Sequence, residues 1–191
     1  MFHDLVQRCR SYRRFRADRA IPDAILRELI DLARLAPSAA NKQPLRFLPS
    51  HTADRNARIF PHLRWAGYLT GWEGPDAGER PAAYVVILGD REVTEHVRWD
   101  DGIAAYAILL GAVERGLGGC MIASLDRPAL REALHIPARY EIQLVIALGE
   151  PLEEVVVEPL PQDGDIRYWR DERRVHHVPK RGLDQVIVEF D

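Results

Sequence analysis

Apolar residues along the chain fall into short continuous runs separated by stretches with helical spacing. The runs at 82–89 (AAYVVILG), 119–123 (GCMIA) and 142–149 (IQLVIALG) are rich in β-branched residues. Such runs predict buried strands. The short run RFL at 46–48 and the run VIVEF at 186–190 predict two more strands, the second near the C-terminus.

Four helices are predicted between these runs. The first covers about 2–9 with Leu5 and Val6 facing inward, and two others cover 101–115 and about 127–134. The remaining helix begins at Pro22, which suits the first helical position, and ends at Pro37. Its apolar spacing predicts one buried face, formed by Ile25, Leu29, Leu32, Ala33 and Ala36. Strands and helices mixed in this order predict a single α+β domain over residues 1–191.

The helix at 101–115 is apolar nearly all the way round, from Ile103 to Val113. Asp100 or Asp101 can cap its start, and Gly116 or Gly118 can end it. A helix of this kind must be buried on every side. Either a second copy of the chain covers part of it, or the core of one chain suffices.

Composition excludes several classes of protein. The chain has 191 residues, 47% of them hydrophobic and 29% charged, with a net charge of -3. This balance argues against bulk nucleic-acid binding, and no apolar run is long enough to span a membrane. The N-terminus lacks the apolar stretch of a secretory signal, which predicts a cytoplasmic protein. Cys9 and Cys120 are expected to be reduced thiols rather than a bridge, and no metal-ligand spacing is present.

Two segments contain more polar and charged side chains than a connecting loop needs. APSAANKQP at 36–44 places Ser38, Asn41 and Gln43 between two prolines. RCRSYRRFRADR at 8–19 contains six arginines, which predict either a solvated basic surface or, with the Ser11 hydroxyl, a phosphate site. Lys180 and Arg181, near the C-terminus, could close on the same phosphate.

Residues 61–80 mix Trp65, Tyr68 and Trp72 with glycines and prolines. This composition suits a functional loop or lid, or simply aromatic packing under a surface loop, and the sequence leaves both open. No nucleophile elbow, P-loop or dinucleotide-binding glycine turn is present, so no side chain is assigned as catalytic.

Five blocks together resemble the FMN-dependent nitroreductase family. They are RSYRRF at 10–15, APSAANKQP at 36–44, GLGGCMIAS at 116–124, IQLVIALGEP at 142–151 and YWRDERRVHHVPKRGL at 168–183. The resemblance covers nearly the whole chain. It implies an α+β nitroreductase-like fold, with a central, mostly antiparallel sheet flanked by helices, in an intertwined homodimer. The arm 151–191 would cross to the partner subunit, where 186–190 would add a strand.

The resemblance also implies an FMN site. Arg10, Ser11 and Arg13 would hold the phosphate and the pyrimidine edge, the loop 36–44 would reach the ring, and the backbone near Ala123 and Ser124 would approach flavin N5. Tyr68 and Trp72 would contact the substrate. The cofactor-binding set implied in full is Arg10, Ser11, Tyr12, Arg13, Pro37, Ser38, Ala39, Asn41, Gln43, Ile122, Ala123, Ser124, Lys180 and Arg181.

The implied reaction is hydride transfer from NADH or NADPH, through the flavin, to a small electron-poor acceptor such as a nitroaromatic or a quinone. Cys9 stands where many family members have a second arginine, which removes one phosphate contact, and the departures at Leu45 and Tyr106 leave the acceptor pocket open. The alternatives are a flavin-dependent dehydrogenase, dehalogenase or flavin reductase on the same fold, a non-catalytic flavin-binding protein, and an anion- or nucleotide-binding module without flavin.

Overall fold

The computed structural model describes residues 1–190. Its helices are α1 (Phe2–Arg8), α2 (Asp23–Leu35), α3 (Ala53–Ile59), α4 (Asp100–Glu114) and α5 (Arg127–Leu134). Its strands are β1 (Leu45–Ser50), β2 (Ala83–Asp90), β3 (Gly118–Ile122), β4 (Tyr140–Gly149), β5 (Val155–Pro159), β6 (Trp169–Arg170) and β7 (His176–Lys180).

The main sheet has four antiparallel strands in the order β1-β2-β4-β3. Every residue of β2 is buried, because β2 lies between β1 and β4 and is covered on both faces. Phe47 is opposite Ile87 on one side of β2, and Val85 is opposite Ile146 on the other. The predicted central strands and the α+β class, with a mostly antiparallel sheet, are therefore confirmed.

Alternation along the strands builds two cores, one on each face of this sheet. Val85 and Ile87 face α2 and α4 and pack in one core with Leu29 and Ile108. Their neighbours in β2 point the other way and join the second core, which contains Ile59 of α3 and Leu130 of α5. A strand that supplies both cores needs apolar residues on both faces, which accounts for the continuous run at 82–89.

Helix α2 corrects the predicted face and start. Its buried residues are Leu26, Leu29 and Ala33, whereas Leu32 is exposed. Leu29 and Ala33 are buried as predicted, whereas Leu26 takes the buried place predicted for Leu32. Pro22 is extended and lies just before the first helical residue. The helix ends before Ala36, whose ψ of 152° is the extended conformation that a following proline favours.

Helix α4 is buried on one side only within one chain. Ala104, Ala105 and Ile108 are fully buried, while Ile103 and Tyr106 are about two-fifths exposed. The core of one chain therefore leaves part of this apolar helix in solvent. Helix α1 has no fully buried residue, and Leu5 and Val6 are half-buried.

The segment after residue 150 forms a second, three-stranded sheet that the sequence did not predict. Strand β7 pairs in parallel with β5 and antiparallel with β6. The predicted strand at 186–190 is not formed, because no strand within residues 1–190 pairs with it, and these residues are exposed. Exchange of the arm with a partner subunit stays a prediction.

Two further structural findings apply to residues 1–190. None of the helices has the length and apolar character needed to cross a membrane. No group of three or more His, Cys, Asp or Glu side chains is arranged to hold a metal ion. Cys9 and Cys120 are separate buried thiols, as predicted.

Candidate functional site

The arginine segment, residues 10–15, lies along β3. The Tyr12 amide donates to the Gly119 carbonyl at 3.0 Å, and Ser11 forms a parallel bridge with the same glycine. The Tyr12 ring covers Gly118, where an added Cβ would come within 2.5 Å of the ring atom Cδ2. The glycines of the GLGG stretch thus allow the segment to approach the sheet closely.

Two adjacent arginines in this segment have opposite surroundings. Arg14 is buried and donates from Nε and Nη2 to the two carboxylate oxygens of Glu79, at 2.6 and 2.7 Å. This bidentate pair lowers the pKa of Glu79 and raises that of Arg14. Arg14 is therefore a structural cation whose charge is already neutralised.

The Arg13 guanidinium contacts only neutral groups. It donates to the Ser11 carbonyl at 3.2 Å and lies 3.1 Å from Nε2 of His176. Its plane covers the Tyr168 ring, 4.9 Å from the centroid. Among residues 1–190 no carboxylate forms an ion pair with it. Arg13 therefore keeps a positive charge that a ligand can use.

Arg13 lines a cavity of about 190 Å³ with the end of β3. Ile122, Ala123 and Ser124, all predicted cofactor residues, lie on its wall together with Tyr168 and Cys120. The Ser124 carbonyl accepts from the Arg64 amide at 2.9 Å, which fixes the turn after β3. Burial raises the pKa of the Cys120 thiol, so this side chain is a neutral part of the wall.

Arg10 is half-buried and is not among the residues that line the Arg13 cavity. Its Nη2 donates to the Val6 carbonyl at 2.7 Å, in the last turn of α1. Its Nε is buried and has no hydrogen-bond partner within residues 1–190. A buried donor without a partner is costly, so this atom is suited to a ligand oxygen.

Loop 36–44 is held by a buried carboxylate in the first turn of α4. Asp100 accepts from the Ser38 hydroxyl at 2.5 Å and from the Ala39 amide at 2.9 Å. Ser38 in turn accepts from the Gln43 amide at 2.9 Å, which closes the loop on itself. The predicted capping role for Asp100 or Asp101 is therefore wrong, since both lie in the first helical turn. The helix cap is Trp99, and the Asp100 carboxylate bonds the loop instead.

The backbone of this loop is unusual. Ala40, Asn41 and Gln43 all have φ near +50°, a left-handed conformation that non-glycine residues seldom adopt. The Asn41 side chain is exposed and forms no hydrogen bond within residues 1–190, whereas its backbone N–H and its backbone carbonyl are both hydrogen-bonded. The loop therefore presents the Asn41 side-chain amide outward on a fixed backbone.

One chain places the two halves of the predicted site on different cavities. Pro37, Ser38 and Gln43 line a separate cavity of about 390 Å³ with residues of α2, β1 and α4. Lys180 and Arg181 are exposed at the end of β7, and neither is among the residues that line the Arg13 cavity.

The two predicted substrate residues differ in their contacts. The Tyr68 ring lies 5.0 Å from that of Tyr168, next to the Arg13 cavity, and is about half exposed. Trp72 packs edge-on against Trp65 and carries the Arg170 guanidinium 4.6 Å above its ring. Trp72 also lines a separate cavity of about 680 Å³, whereas Tyr68 contacts a residue of the Arg13 cavity without lining it.

Four residues around the site were not predicted individually, namely Asp100 as a loop anchor, Glu153, Tyr168 and His176. Three of them follow residue 150, in a segment whose strands are too short to stand out in the sequence. The adjacent histidines His176 and His177 were the one signal in the sequence that could have pointed to this part of the site, since a buried histidine often has a specific partner.

Comparison with known proteins identifies the relatives of this chain. The family model described as the Nitroreductase family matches residues 6–150. The 5,6-dimethylbenzimidazole synthase of Rhodospirillum rubrum is 29% identical, over 93% of this chain and 92% of that protein. A candidate NADH dehydrogenase/NAD(P)H nitroreductase of Archaeoglobus fulgidus is 29% identical, over 72% and 79%. A candidate nitroreductase from Desulfovibrio desulfuricans, solved in complex with FMN, has a TM-score of 0.72 at 25% identity, over 100% and 96% of the two chains.

The residues present fit FMN chemically. A phosphate needs cationic donors, which Arg10 and Arg13 supply, and Arg10 has a buried Nε without a partner. The imide edge of a flavin alternates donors and acceptors, which suits the amides of Asn41 and Gln43. The Arg13 cavity and the loop 36–44 together provide both kinds of group.

Proposed function

Because this chain belongs to the nitroreductase family, we propose that it is an FMN-dependent oxidoreductase. It takes a hydride from NADH or NADPH and passes it to a small electron-poor acceptor, such as a nitroaromatic or a quinone. One observation carries the proposal: Arg13 has no carboxylate partner among the described residues and shares a cavity with Ile122, Ala123 and Ser124.

The protein's own contribution is positioning and charge. FMN, when bound, supplies the N5 position through which hydride enters and leaves. Arg13 would stabilise negative charge on the pyrimidine edge of a bound flavin, because a cation beside an anion favours its charged form. The turn at Ile122, Ala123 and Ser124 would form the wall near the reacting edge, and Tyr68, whose ring contacts that of Tyr168 in the same cavity wall, would meet the acceptor. No side chain of this set is required as an acid or a base.

The proposal includes a homodimer in which loop 36–44 completes the site of the partner subunit. Two features support it: the loop and the Arg13 cavity are separate in one chain, and α4 exposes Ile103 and Tyr106. Residues 155–180 pair within their own chain. We therefore limit the exchanged part of the arm to about 181–191, which begins with Arg181 and contains the exposed VIVEF run.

Deletion of residues 183–191 tests this arrangement while leaving β7, Lys180 and Arg181 in place. We expect light scattering to show a shift toward monomer and an FMN titration to show weaker binding. A second variant replaces Val186 and Val188 together with aspartate. It keeps the chain length and removes only the apolar strand pattern. A truncated protein that remains dimeric and keeps its FMN would contradict the exchange.

The main experiment is the absorbance spectrum of the purified protein, before and after incubation with FMN, followed by anaerobic addition of NADH or NADPH. We expect a flavin spectrum that either nicotinamide bleaches. A yellow protein that neither donor reduces would indicate a non-catalytic flavin-binding protein. A protein that stays colourless with FMN would favour an anion- or nucleotide-binding module.

Reoxidation of the reduced protein separates the reactions possible on this fold. A nitroaromatic, a quinone, a halogenated phenol and free FMN are offered in turn under anaerobic conditions, and the rate of flavin reoxidation is measured. We expect the nitroaromatic or the quinone to react fastest. Preference for the halogenated phenol or for free FMN would instead indicate a dehalogenase or a flavin reductase.

A further inference from the structure

We propose that Glu153 and His176 are positioning residues that hold Arg13 in the orientation that FMN requires. The inference rests on the proposed function. Both residues lie beyond the part of the chain that the family model matches. Glu153 comes two residues before β5, and His176 is the first residue of β7.

Glu153 fixes the backbone of the arginine segment. Its carboxylate is fully buried, and Oε1 accepts from the amides of both Arg13 and Arg14. Oε2 accepts from Nη2 of Arg170 at 2.9 Å, which supplies the opposite charge. Two successive amides bonded to one oxygen hold the chain in a single conformation, so that one arginine points to Glu79 and the other points to the cavity.

His176 orients the other end of Arg13. Arginine can only donate, so Nε2 of His176 must accept from the guanidinium and the ring proton must be on Nδ1. Burial, together with the charges of Arg13, Arg170 and His177, lowers the pKa of His176 to about 4. The ring is therefore neutral near pH 7, in the form that can accept this hydrogen bond.

A neutral acceptor has a consequence that a carboxylate would not have. Glu79 both orients and neutralises Arg14, which leaves Arg14 unavailable to an anion. His176 orients Arg13 and leaves its charge in place. The Tyr168 ring, 4.9 Å below the guanidinium and 5.2 Å from His176, also fixes the plane without adding an opposite charge. The structure thus builds a fixed cation that is still free to bind an anion.

The test is a double-mutant cycle on FMN affinity, measured by titrating the apoprotein and following flavin fluorescence. Glu153→Gln and His176→Phe are each made alone and together with Arg13→Ala. We expect each single change to weaken binding roughly tenfold and to have no further effect in the Arg13→Ala protein, because both act through that side chain. His176→Gln keeps a neutral acceptor and should restore most of the affinity.

Two controls separate positioning from general damage. Glu154→Gln alters the neighbouring carboxylate, whose residue is exposed, and should leave FMN affinity unchanged. Thermal melting of each apoprotein shows whether it is folded. If Glu153→Gln does not fold, the comparison of His176→Phe with His176→Gln still decides the inference.

The outcomes are distinct. Failure of the wild-type protein to bind FMN would overturn the proposed function itself. Folded Glu153→Gln and His176→Phe proteins that bind FMN as tightly as wild type would overturn the positioning role alone. The same conclusion would follow if their effects simply added to that of Arg13→Ala.

Discussion

The arginine segment and loop 36–44 are each anchored by a buried carboxylate, but the two carboxylates belong to different parts of the molecule. Each is anchored by one buried carboxylate: Glu153 accepts from two amides of the segment, and Asp100 accepts from Ser38 and Ala39 of the loop. Asp100 belongs to α4, which packs in the first core. Glu153 belongs to the C-terminal segment, outside the main sheet.

This difference separates two sources of order in the candidate site. The loop is anchored to a core helix, whereas the arginine segment lies along β3 and is also bonded by Glu153 of the C-terminal segment. Local stability in proteins follows the number and burial of such contacts. Perturbing the C-terminal segment should therefore disturb the cation and leave the loop in place.

Breaking the anchor of Arg14 should have the largest effect. Arg14→Met leaves Glu79 partly buried with only the longer contact to Arg174, at 3.3 Å. Removing one partner of a buried ion pair typically costs about 3–5 kcal/mol, and we expect an unfolding free energy lower by that amount. Chemical denaturation of the apoprotein measures it.

The matched control is Arg16→Met, which breaks an exposed pair with Glu150. Exposed ion pairs contribute roughly 0–1 kcal/mol, so this variant should unfold almost like wild type. Equal stability of the two variants would show that burial of the Arg14–Glu79 pair has no energetic consequence, and the segment would then need another anchor.

Substitution of the neighbouring Arg13 should change FMN binding and leave the stability of the fold nearly unchanged. Arg13→Ala removes a cation without an ion-pair partner among the described residues, so unfolding should change little while FMN binding weakens by about 1.5–3 kcal/mol, the range for a charged hydrogen bond. Arg13→Lys keeps the charge but not the planar guanidinium fork, so its FMN affinity should lie between those of wild type and Arg13→Ala. An FMN titration measures both variants, and unchanged affinity in Arg13→Ala would remove this residue from the site.

Sequence reasoning recovered the parts of the molecule that local pattern determines. The run at 82–89 had to be a buried strand, and the paired prolines at 37 and 44 had to bound a rigid loop. It missed the anchors, because an anchor depends on contacts between distant residues. Glu153 lies 140 positions from Arg13, and no spacing rule connects them. The second sheet was missed because β6 has two residues and β5 and β7 have five each, so a periodic pattern cannot develop.

Acid should loosen the arginine segment before it loosens the loop. His176 has a pKa of about 4 in the folded chain and an ordinary value of 6.5, so the unfolded chain binds more protons between these values. Stability therefore falls as the pH drops from about 6.5 toward 4, by about 3 kcal/mol. The charged groups that lower this pKa are Arg13, Arg170 and His177. Thermal melting across this range measures the loss.

The His176→Gln protein lacks the titrating ring and should lose less stability over the same pH range. Identical pH profiles for the two proteins would mean that other groups dominate. The separate prediction for the loop is that limited proteolysis near residue 40 stays slow at pH 5, because Asp100 holds the loop from the core helix.

The smallest expected effect concerns Asn41, and it tests whether the loop contributes contacts or only shape. Its φ of 52° is one that asparagine and glycine adopt more easily than leucine does. Asn41→Gly therefore keeps the backbone and removes only the exposed amide. We expect FMN affinity to fall by about 0.5–1.5 kcal/mol, one ordinary hydrogen bond, with apoprotein stability nearly unchanged.

Asn41→Leu, of similar bulk, should also lower FMN affinity, and should add about 1–2 kcal/mol of backbone strain on top. Comparing the two variants by FMN titration and by melting separates the amide contact from the turn. If Asn41→Gly binds FMN like wild type while Asn41→Leu only melts earlier, then Asn41 is a turn residue, and the loop serves the site by its backbone alone.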